Sequence, residues 1–170
     1  MKTLILGGVR SGKSRLAESL AARSGKPVTY IATAGVGDAE MRARIEAHRA
    51  RRSPDWTVVE EPIRLGCALQ ACGTNGAFVL VDCLTLWLTN LLVANDAAQF
   101  ARERDALLAT LPRLDGEIAL VSNETGMGIM PLGELTRRFG DEAGRLHQEL
   151  AQICDRVVLT VAGLPMVLKQ

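Results

Sequence analysis

The stretch "TLILGGVRSGKS", residues 3–14, decides the fold of this 170-residue chain. A short apolar run leads into the pattern G-x-x-x-x-G-K-[ST], with Gly7, Gly12, Lys13 and Ser14 at its fixed positions. The residues that follow, "RLAESLAARSG", are typical of a helix, so a strand, a glycine-rich turn and a helix succeed one another. This order predicts a phosphate-binding loop, in which backbone N–H groups and a helix N-terminus surround the phosphates of a nucleotide.

Each residue type of this loop suits that chemistry. Glycines allow the backbone to approach a phosphate closely, and the helix dipole favours its negative charge. We expect Lys13 to reach the β- and γ-phosphates and the Ser14 hydroxyl to bind Mg²⁺. An ordinary glycine-rich turn is disfavoured because both the sequence and its context match. The predicted nucleotide-binding residues of the loop are Gly7, Gly8, Val9, Arg10, Ser11, Gly12, Lys13 and Ser14.

The rest of the chain alternates short apolar runs with longer helical patterns, which indicates an α/β fold with a mostly parallel central sheet. The runs are continuously apolar, as in strands buried on both faces. We predict a single P-loop domain over residues 1–170, with helices flanking the sheet and an edge strand at the C-terminus. Strands are predicted at 3–6, 28–32, 56–60, 78–82, 118–122, 156–161 and after Pro165, and helices at 13–24, 38–52, 62–72, 84–94, 97–111 and 134–153.

The composition excludes several classes of protein. A net charge of +1 and a pI near 7.7 argue against a nucleic-acid or membrane-surface protein. The four cysteines form no CxxC pair and no zinc-type cluster, so we expect reduced thiols in a cytoplasmic protein. No targeting segment is visible, and no apolar run approaches the ~20 residues of a membrane span. Arginine greatly outnumbers lysine, which suits phosphate binding but could equally reflect genome composition.

Acidic and polar residues follow two of the predicted strands. Asp82 ends the apolar run "FVLVD", where a carboxylate beside a phosphate loop is expected to bind Mg²⁺, although an aspartate there can also cap a helix. Asn123 and Glu124 follow the run "IALVS" and precede a glycine-rich stretch. Because ligands of open α/β sheets bind at the carboxyl ends of strands, these residues should face the same crevice, or form a plain loop.

His48 lies in the basic stretch "RARIEAHRARR", residues 42–52. On a helix it shares a stripe with Met41 and Ile45, so it should face the protein. It could be a packed histidine or belong to a solvated basic helix. Alternatively, it could attack phosphorus, since neighbouring arginines favour the neutral imidazole and would hold a triphosphate. Spacing alone leaves these alternatives open.

A phosphate loop does not by itself define the reaction. A guanine-specific switch is disfavoured because the sequence after the fifth predicted strand is Asn-Glu-Thr-Gly and not Asn-Lys-x-Asp. A small-molecule kinase needs only the loop, magnesium and a hydroxyl acceptor, and Arg137, Arg138 and Arg145 could close over its phosphates. A non-catalytic nucleotide sensor is a further alternative.

Several segments together resemble one family over essentially the whole chain. "GGVRSGKSRLAE", "YIATA", "EMRARIEAHRARR", "WTVVEEP", "LVDCLTLWLTNLL", "VSNETGMGIMP" and "DEAGRLHQELAQICDRVVLTVAGLP" are similar to the bifunctional adenosylcobinamide kinase / adenosylcobinamide-phosphate guanylyltransferases. The resemblance implies two reactions. A nucleoside triphosphate, ATP or GTP, phosphorylates the hydroxyl of adenosylcobinamide, and GTP then gives GMP to a histidine that passes it to the phosphorylated corrinoid.

The resemblance also implies particular residues and an assembly. It makes His48 the nucleophile, whereas His147 has no such support and is expected on a helix surface or in packing. It further implies a cytosolic homotrimer that uses Mg²⁺. The nucleotide contacts implied besides the loop are Thr33, Ala34, Gly35, Arg49, Ala50, Arg51, Arg52, Glu60 and Asp82, with Ser14 and Asp82 as metal ligands.

Overall fold

A computed structural model describes residues 1–35, 53–74 and 76–170 of the chain. Within them the strands are β1 (Lys2–Gly7), β2 (Val28–Ala32), β3 (Thr57–Glu60), β4 (Phe78–Asp82), β5 (Glu117–Asn123), β6 (Arg156–Val161) and β7 (Leu164–Lys169). The helices are α1 (Lys13–Arg23), α2 (Leu65–Cys72), α3 (Leu84–Val93), α4 (Ala97–Thr110) and α5 (Glu134–Ile153), with a 3₁₀ turn at Leu111–Arg113.

The strands form one sheet in the order β3-β2-β4-β5-β1-β6-β7. All neighbours are parallel except β6 and β7, which form an antiparallel hairpin at one edge. The predicted α/β class, the mostly parallel sheet and the C-terminal edge strand are therefore confirmed. β5 lies between β1, which leads into the phosphate loop, and β4, which ends at Asp82. The carboxyl ends of these strands meet at one edge of the sheet, where α/β proteins bind ligands.

Two apolar cores cover the two faces of the sheet. Alternate residues of one strand enter different cores, as Leu4 and Leu6 do on one face and Ile5 on the other. Helices α2 to α5 pack on the first face, around the buried Trp87. Helix α1 packs on the second face through residues such as Ala17. Burial on both faces explains why the central strands are continuously apolar in sequence.

Some predicted boundaries differ from the structure, and one difference has a clear cause. The helix predicted over 62–72 begins only at Leu65, because Oε1 of Glu61 accepts the backbone N–H groups of Ile63 and Arg64 in a turn before it. The helix predicted over 97–111 ends at Thr110 and continues as a 3₁₀ turn that contains Pro112. The helix predicted over 38–52 lies outside the described residues.

The hairpin between β6 and β7 turns through two residues. Ala162 and Gly163 both have positive φ, 51° and 81°, as in the type I′ turn that suits the twist of a hairpin. The large apolar side chains of β7 are exposed, namely Leu164, Met166, Val167 and Leu168. This edge therefore combines a tight turn with an uncovered apolar strand.

Cys67, Cys72, Cys83 and Cys154 are all unpaired thiols. Burial raises the pKa of Cys154 to about 12 and that of Cys83 to about 11, so both thiols stay protonated near neutral pH. None of the helices in the described part of the chain has the length and apolar character needed to cross a bilayer.

Candidate active site

The phosphate loop joins β1 to α1 at the carboxyl edge of the sheet. A side chain at Gly7 would place its Cβ 2.6 Å from the Thr160 carbonyl oxygen and against Ser11 Oγ, so only glycine fits there. Gly12 begins the helix with φ of 98°, and its Cβ would lie 3.0 Å from Gly163 Cα. These contacts show why the sequence pattern requires glycine at positions 7 and 12.

Lys13 lies at the end of the phosphate loop, where α1 begins, and is almost fully buried. Its Nζ donates a hydrogen bond to the Gly8 carbonyl oxygen at 3.0 Å, so the ammonium lies inside the loop. Burial lowers the pKa of Lys13, whereas the neighbouring Cys83 and Asp82 raise it. The loop therefore holds a cation whose charge is only partly compensated, as a site for phosphate requires.

Asp82 ends β4 on the face of the sheet that packs against α1. The Tyr30 hydroxyl donates to Asp82 Oδ2 at 2.8 Å and so orients the carboxylate from the neighbouring strand. A carboxylate and the Ser14 hydroxyl are oxygen ligands of the kind that Mg²⁺ prefers, together with phosphate oxygens and water. The described residues contain no group of three or more side chains that could hold a metal ion.

The segment Thr33–Gly35 follows β2 and is held by side-chain hydrogen bonds. Thr33 Oγ1 donates to the Cys83 carbonyl oxygen at 2.6 Å and accepts from the Cys83 N–H at 2.9 Å. Asn90 Nδ2 donates to the Thr33 carbonyl oxygen at 2.8 Å, and a Cβ on Gly35 would lie 3.0 Å from Asn90 Oδ1. Sequence reasoning missed Asn90 and Tyr30, because nothing local to either residue indicates a partner on another element.

The predicted nucleotide contacts lie along the edge in two groups. Glu60 ends β3, and the strand order places β3 four strands away from β1. At a spacing of ~4.8 Å between neighbouring strands, Glu60 is about 19 Å from the end of β1. Thr33, Ala34 and Gly35 follow β2, next to β3. The structure therefore brings the phosphate loop close to Asp82 but keeps Glu60 apart from the loop.

The end of β5 contacts the phosphate loop directly. The Glu124 N–H donates to the Gly7 carbonyl oxygen at 3.0 Å, and the Asn123 N–H donates to Thr85 Oγ1 at 2.7 Å. Glu124 Oε1 in turn accepts the Gly126 N–H at 2.6 Å. Asn123, the last residue of β5, and Glu124, which follows it, thus lie beside the phosphate loop at the carboxyl edge of the sheet.

His147 is buried on α5 and faces the end of β5. Its Nε2 lies 2.8 Å from Ser122 Oγ, and its Nδ1 lies 3.8 Å from Glu124 Oε2. Burial lowers the pKa of His147, and the Glu124 carboxylate opposes that shift. Of the two places expected for His147, packing is the one observed. The sequence signal for this packing was the helical spacing that puts His147 on one stripe of α5 with the apolar Ala143 and Leu150.

Other predicted residues lie away from the loop or beyond the described residues. His48, Arg49, Ala50, Arg51 and Arg52 belong to residues 36–52, which lie outside the described residues. The three arginines of α5 make contacts elsewhere. Arg137 donates to the carbonyl oxygens of Pro131 and Leu132, Arg138 stacks 5.9 Å above the Phe100 ring, and Arg145 pairs with Glu142 at 2.7 Å.

Two buried hydroxyls at the loop have no hydrogen-bond partner among the described residues. They are Ser11 Oγ in the loop and Thr160 Oγ1 at the end of β6. A buried polar group without a partner costs free energy, so such groups are rare unless a ligand or water serves them. Their position agrees with a loop shaped for a polar ligand.

Residues 3–168 match a family model described as cobinamide kinase / cobinamide phosphate guanyltransferase, CobU. The chain belongs to this family. Its members catalyse both phosphoryl and guanylyl transfer, so this chain is a bifunctional transferase of cobalamin biosynthesis.

Named relatives agree with the family over their full length. The bifunctional adenosylcobalamin biosynthesis protein CobP of Pseudomonas aeruginosa is 60% identical over 99% of this chain and 98% of its own. The bifunctional adenosylcobalamin biosynthesis protein CobU is 39% identical in Escherichia coli K12 and 40% identical in Salmonella typhimurium LT2. In both cases 99% of this chain and all of the relative are covered.

Solved structures of low identity show the fold alone. The RadB recombinase superposes with a TM-score of 0.53 at 17% identity, over 93% of this chain and 73% of its own. EscN, the ATPase of the type III secretion system of enteropathogenic E. coli, gives 0.57 at 12% identity over 95% of this chain and 43% of its own.

Proposed function

We propose that one domain, residues 1–170, performs both transfers with a shared phosphate loop, and that His48 carries GMP between them. The observation that carries this proposal is the loop itself, in which the buried Lys13 ammonium lies inside the backbone turn of a chain that belongs to a bifunctional family. The proposed substrates are adenosylcobinamide, its phosphate, GTP and ATP.

In the kinase step, the hydroxyl of adenosylcobinamide attacks the γ-phosphorus of a triphosphate, and the bond to the β-phosphate oxygen breaks. Backbone N–H groups of residues 7–14 and the Lys13 ammonium offset charge on the transferring group. Ser14 and Asp82 would hold Mg²⁺, which supplies charge neutralisation at the phosphates. Tyr30 keeps Asp82 oriented, through its 2.8 Å hydrogen bond.

In the guanylyl-transfer step, a neutral His48 nitrogen attacks the α-phosphorus of GTP and pyrophosphate leaves. A phosphate oxygen of adenosylcobinamide phosphate then attacks the same phosphorus, the P–N bond breaks, and adenosylcobinamide-GDP forms with free His48. Arg49, Arg51 and Arg52 would bind the phosphates by charge-assisted hydrogen bonds. Ala50 would contact the nucleotide, as would Thr33 to Gly35 and Glu60. Thr33 to Gly35 follow β2 and Glu60 ends β3, so these four lie near the β3 end of the edge.

We further propose that the enzyme works in the cytoplasm as a homotrimer. The unpaired cysteines agree with a reducing compartment. The exposed apolar side chains of β7 offer a surface that a second copy could cover.

The substitution His48→Ala tests the assignment, because it should separate the two reactions. The variant should still make adenosylcobinamide phosphate but should retain no label from α-labelled GTP on the denatured chain. Wild-type label should be lost in acid and survive base, as expected of a P–N bond. Lys13→Ala serves as the matched control and should impair both reactions, since both need the triphosphate held.

Each alternative gives a different result in this experiment. A kinase without guanylyl transfer would retain no α-label in the wild type, and a nucleotide sensor would form no corrinoid product. Full guanylyl transfer by His48→Ala would show that another group is the nucleophile.

Alanine variants of Arg49, Arg51 and Arg52 should each weaken GTP binding by about 1.5–3 kcal/mol where the contact is direct.

A further inference from the structure

A carboxylate, an imidazole and a hydroxyl lie together beside the phosphate loop, and the roles above use none of them. They belong to Glu124, His147 and Ser122. We propose that Glu124 accepts the proton of the corrinoid hydroxyl in the kinase step and that His147 positions the Glu124 carboxylate. The inference rests on the proposed kinase reaction and assigns two residues to it.

The position of Glu124 follows from the strand order. β5 lies between β1 and β4, and its last residue, Asn123, pairs with Gly7 in the sheet. The Glu124 N–H then donates to the Gly7 carbonyl oxygen at 3.0 Å, at the first residue of the phosphate loop. A hydroxyl that approaches the γ-phosphate between the loop and Asp82 therefore approaches the end of β5.

The Glu124 carboxylate is held by a hydrogen bond at one oxygen, and its side chain is partly exposed. Glu124 Oε1 accepts the Gly126 N–H at 2.6 Å, which restrains the side chain. Oε2 lies 3.8 Å from His147 Nδ1, too far for a hydrogen bond, and the described residues provide no other donor to it. The side chain is one-fifth exposed, so a substrate hydroxyl can approach the carboxylate.

His147 is held on its other side. Its Nε2 lies 2.8 Å from Ser122 Oγ, which in turn lies 3.4 Å from Thr85 Oγ1. If Ser122 donates, Nε2 accepts, and the ring proton on Nδ1 faces Glu124. Because burial lowers the pKa of His147, the ring is neutral near neutral pH and does not quench the basicity of the carboxylate as a cation would.

Two other carboxylates near the carboxyl edge of the sheet, those of Asp82 and Glu61, make different contacts. Asp82 accepts the Tyr30 hydroxyl and adjoins Lys13, as a magnesium ligand should. Glu61 Oε1 accepts two backbone N–H groups before α2. Glu124 thus combines a backbone contact with the phosphate loop and a partly exposed carboxylate whose Oε2 accepts no hydrogen bond from the described residues.

The step balances without a further reactant. As the hydroxyl oxygen bonds to the γ-phosphorus, its proton passes to Glu124 Oε2 and the nucleoside diphosphate leaves with the electrons of the broken P–O bond. Release of the proton to water restores the carboxylate. His48 attacks the α-phosphorus as a neutral imidazole, so guanylylation of His48 does not need Glu124.

The direct test is Glu124→Gln, which keeps the size of the side chain and removes its basicity. The kcat for forming adenosylcobinamide phosphate should fall about 100- to 10,000-fold with the KM for triphosphate unchanged, as expected on loss of a general base. Label from α-labelled GTP should stay on the chain at the wild-type level. Glu134→Gln, an exposed carboxylate in the first turn of α5, is the matched control and should keep full kinase activity.

A wild-type kcat in Glu124→Gln would overturn the inference and leave the proposed function intact. Absence of adenosylcobinamide phosphate in the wild type would overturn the proposed function, and the inference with it.

A double-variant cycle tests the positioning role of His147. If His147 acts through Glu124, His147→Leu should lower kcat in the wild type but not in the Glu124→Gln background. His147→Asn, which can return an N–H near the position of Nδ1, should recover part of the activity. An equal loss of kcat from His147→Leu in both backgrounds would show a merely structural role and overturn the positioning assignment.

Discussion

Two single residues, Lys13 and His147, are polar side chains buried in or beside the site. Lys13 lies inside the phosphate loop, and His147 lies between α5 and the end of β5. Burial lowers the pKa of both, because the charged form loses its hydration. Each residue therefore links the electrostatics of the site to the stability of the chain.

The lowered pKa of His147 predicts how the free energy of unfolding depends on pH. Its pKa in the folded chain lies below the ordinary value of 6.5, so below pH 6.5 the unfolded chain binds a proton that the folded chain does not. The free energy of unfolding should therefore fall as the pH falls from 6.5 towards the folded pKa. In His147→Gln this contribution should vanish, so urea unfolding from about pH 7.5 to 5 should show a shallower decline.

Gln148→Ala provides the control for this pH series. Gln148 is the exposed neighbour of His147 on α5, and its substitution should leave the slope unchanged. An identical slope in the wild type and in His147→Gln would contradict the expected link to His147.

The sequence predicts contiguous features of the site better than contacts across the fold. Gly7, Lys13 and Ser14 form one motif, so their common role is visible without a structure. Ser122 and His147 lie 25 residues apart, and their contact depends on how α5 packs against β5. Helical periodicity places His147 on the inner stripe but does not indicate which strand that stripe meets.

At the scale of elements, the β6–β7 hairpin carries a local conformational cost. Ala162 has φ of 51°, in the left-handed region that disfavours a Cβ. The first position of a type I′ turn favours asparagine, which tolerates this conformation. Ala162→Asn should therefore raise the free energy of unfolding by about 0.5–1 kcal/mol, as measured by denaturant unfolding.

Ala94→Asn is the matched control for the turn. Ala94 is exposed after α3 with φ of −61°, so the same change there relieves no left-handed strain. An equal gain in both variants would show that the turn conformation is not the cause.

Element types were predictable because burial leaves a strong pattern, whereas some element ends were not. β4 and β5 are buried on both faces, and their apolar runs are unmistakable in the sequence. The start of α2 depends on Glu61, whose side chain accepts N–H groups of the turn before it. A carboxylate that binds the backbone in this way competes with helix formation, so periodicity alone places the start too early.

At the scale of the whole molecule, exposed apolar side chains of the described chain are grouped in two regions, besides single ones elsewhere. One is β7, and the other is the loop that contains Ile129 and Leu132, which are 98% and 96% exposed. Apolar patches of this kind mark surfaces for association. If the chain assembles as proposed, light scattering should give a mass three times the 18.3 kDa of one chain. A mass of one chain at all concentrations would contradict the homotrimer.

The turn of the β6–β7 hairpin also contacts the phosphate loop, since the Gly163 N–H donates to the Ser11 carbonyl oxygen at 2.8 Å. This hydrogen bond is one of the contacts that join the outer edge of the sheet to the phosphate loop. A partner of the edge that alters the conformation of this turn would change the free energy of nucleotide binding by a coupling free energy between the two sites. Thermodynamic reciprocity then requires bound nucleotide to alter the affinity of that edge for its partner equally. The shift of the association equilibrium with GTP concentration measures this coupling.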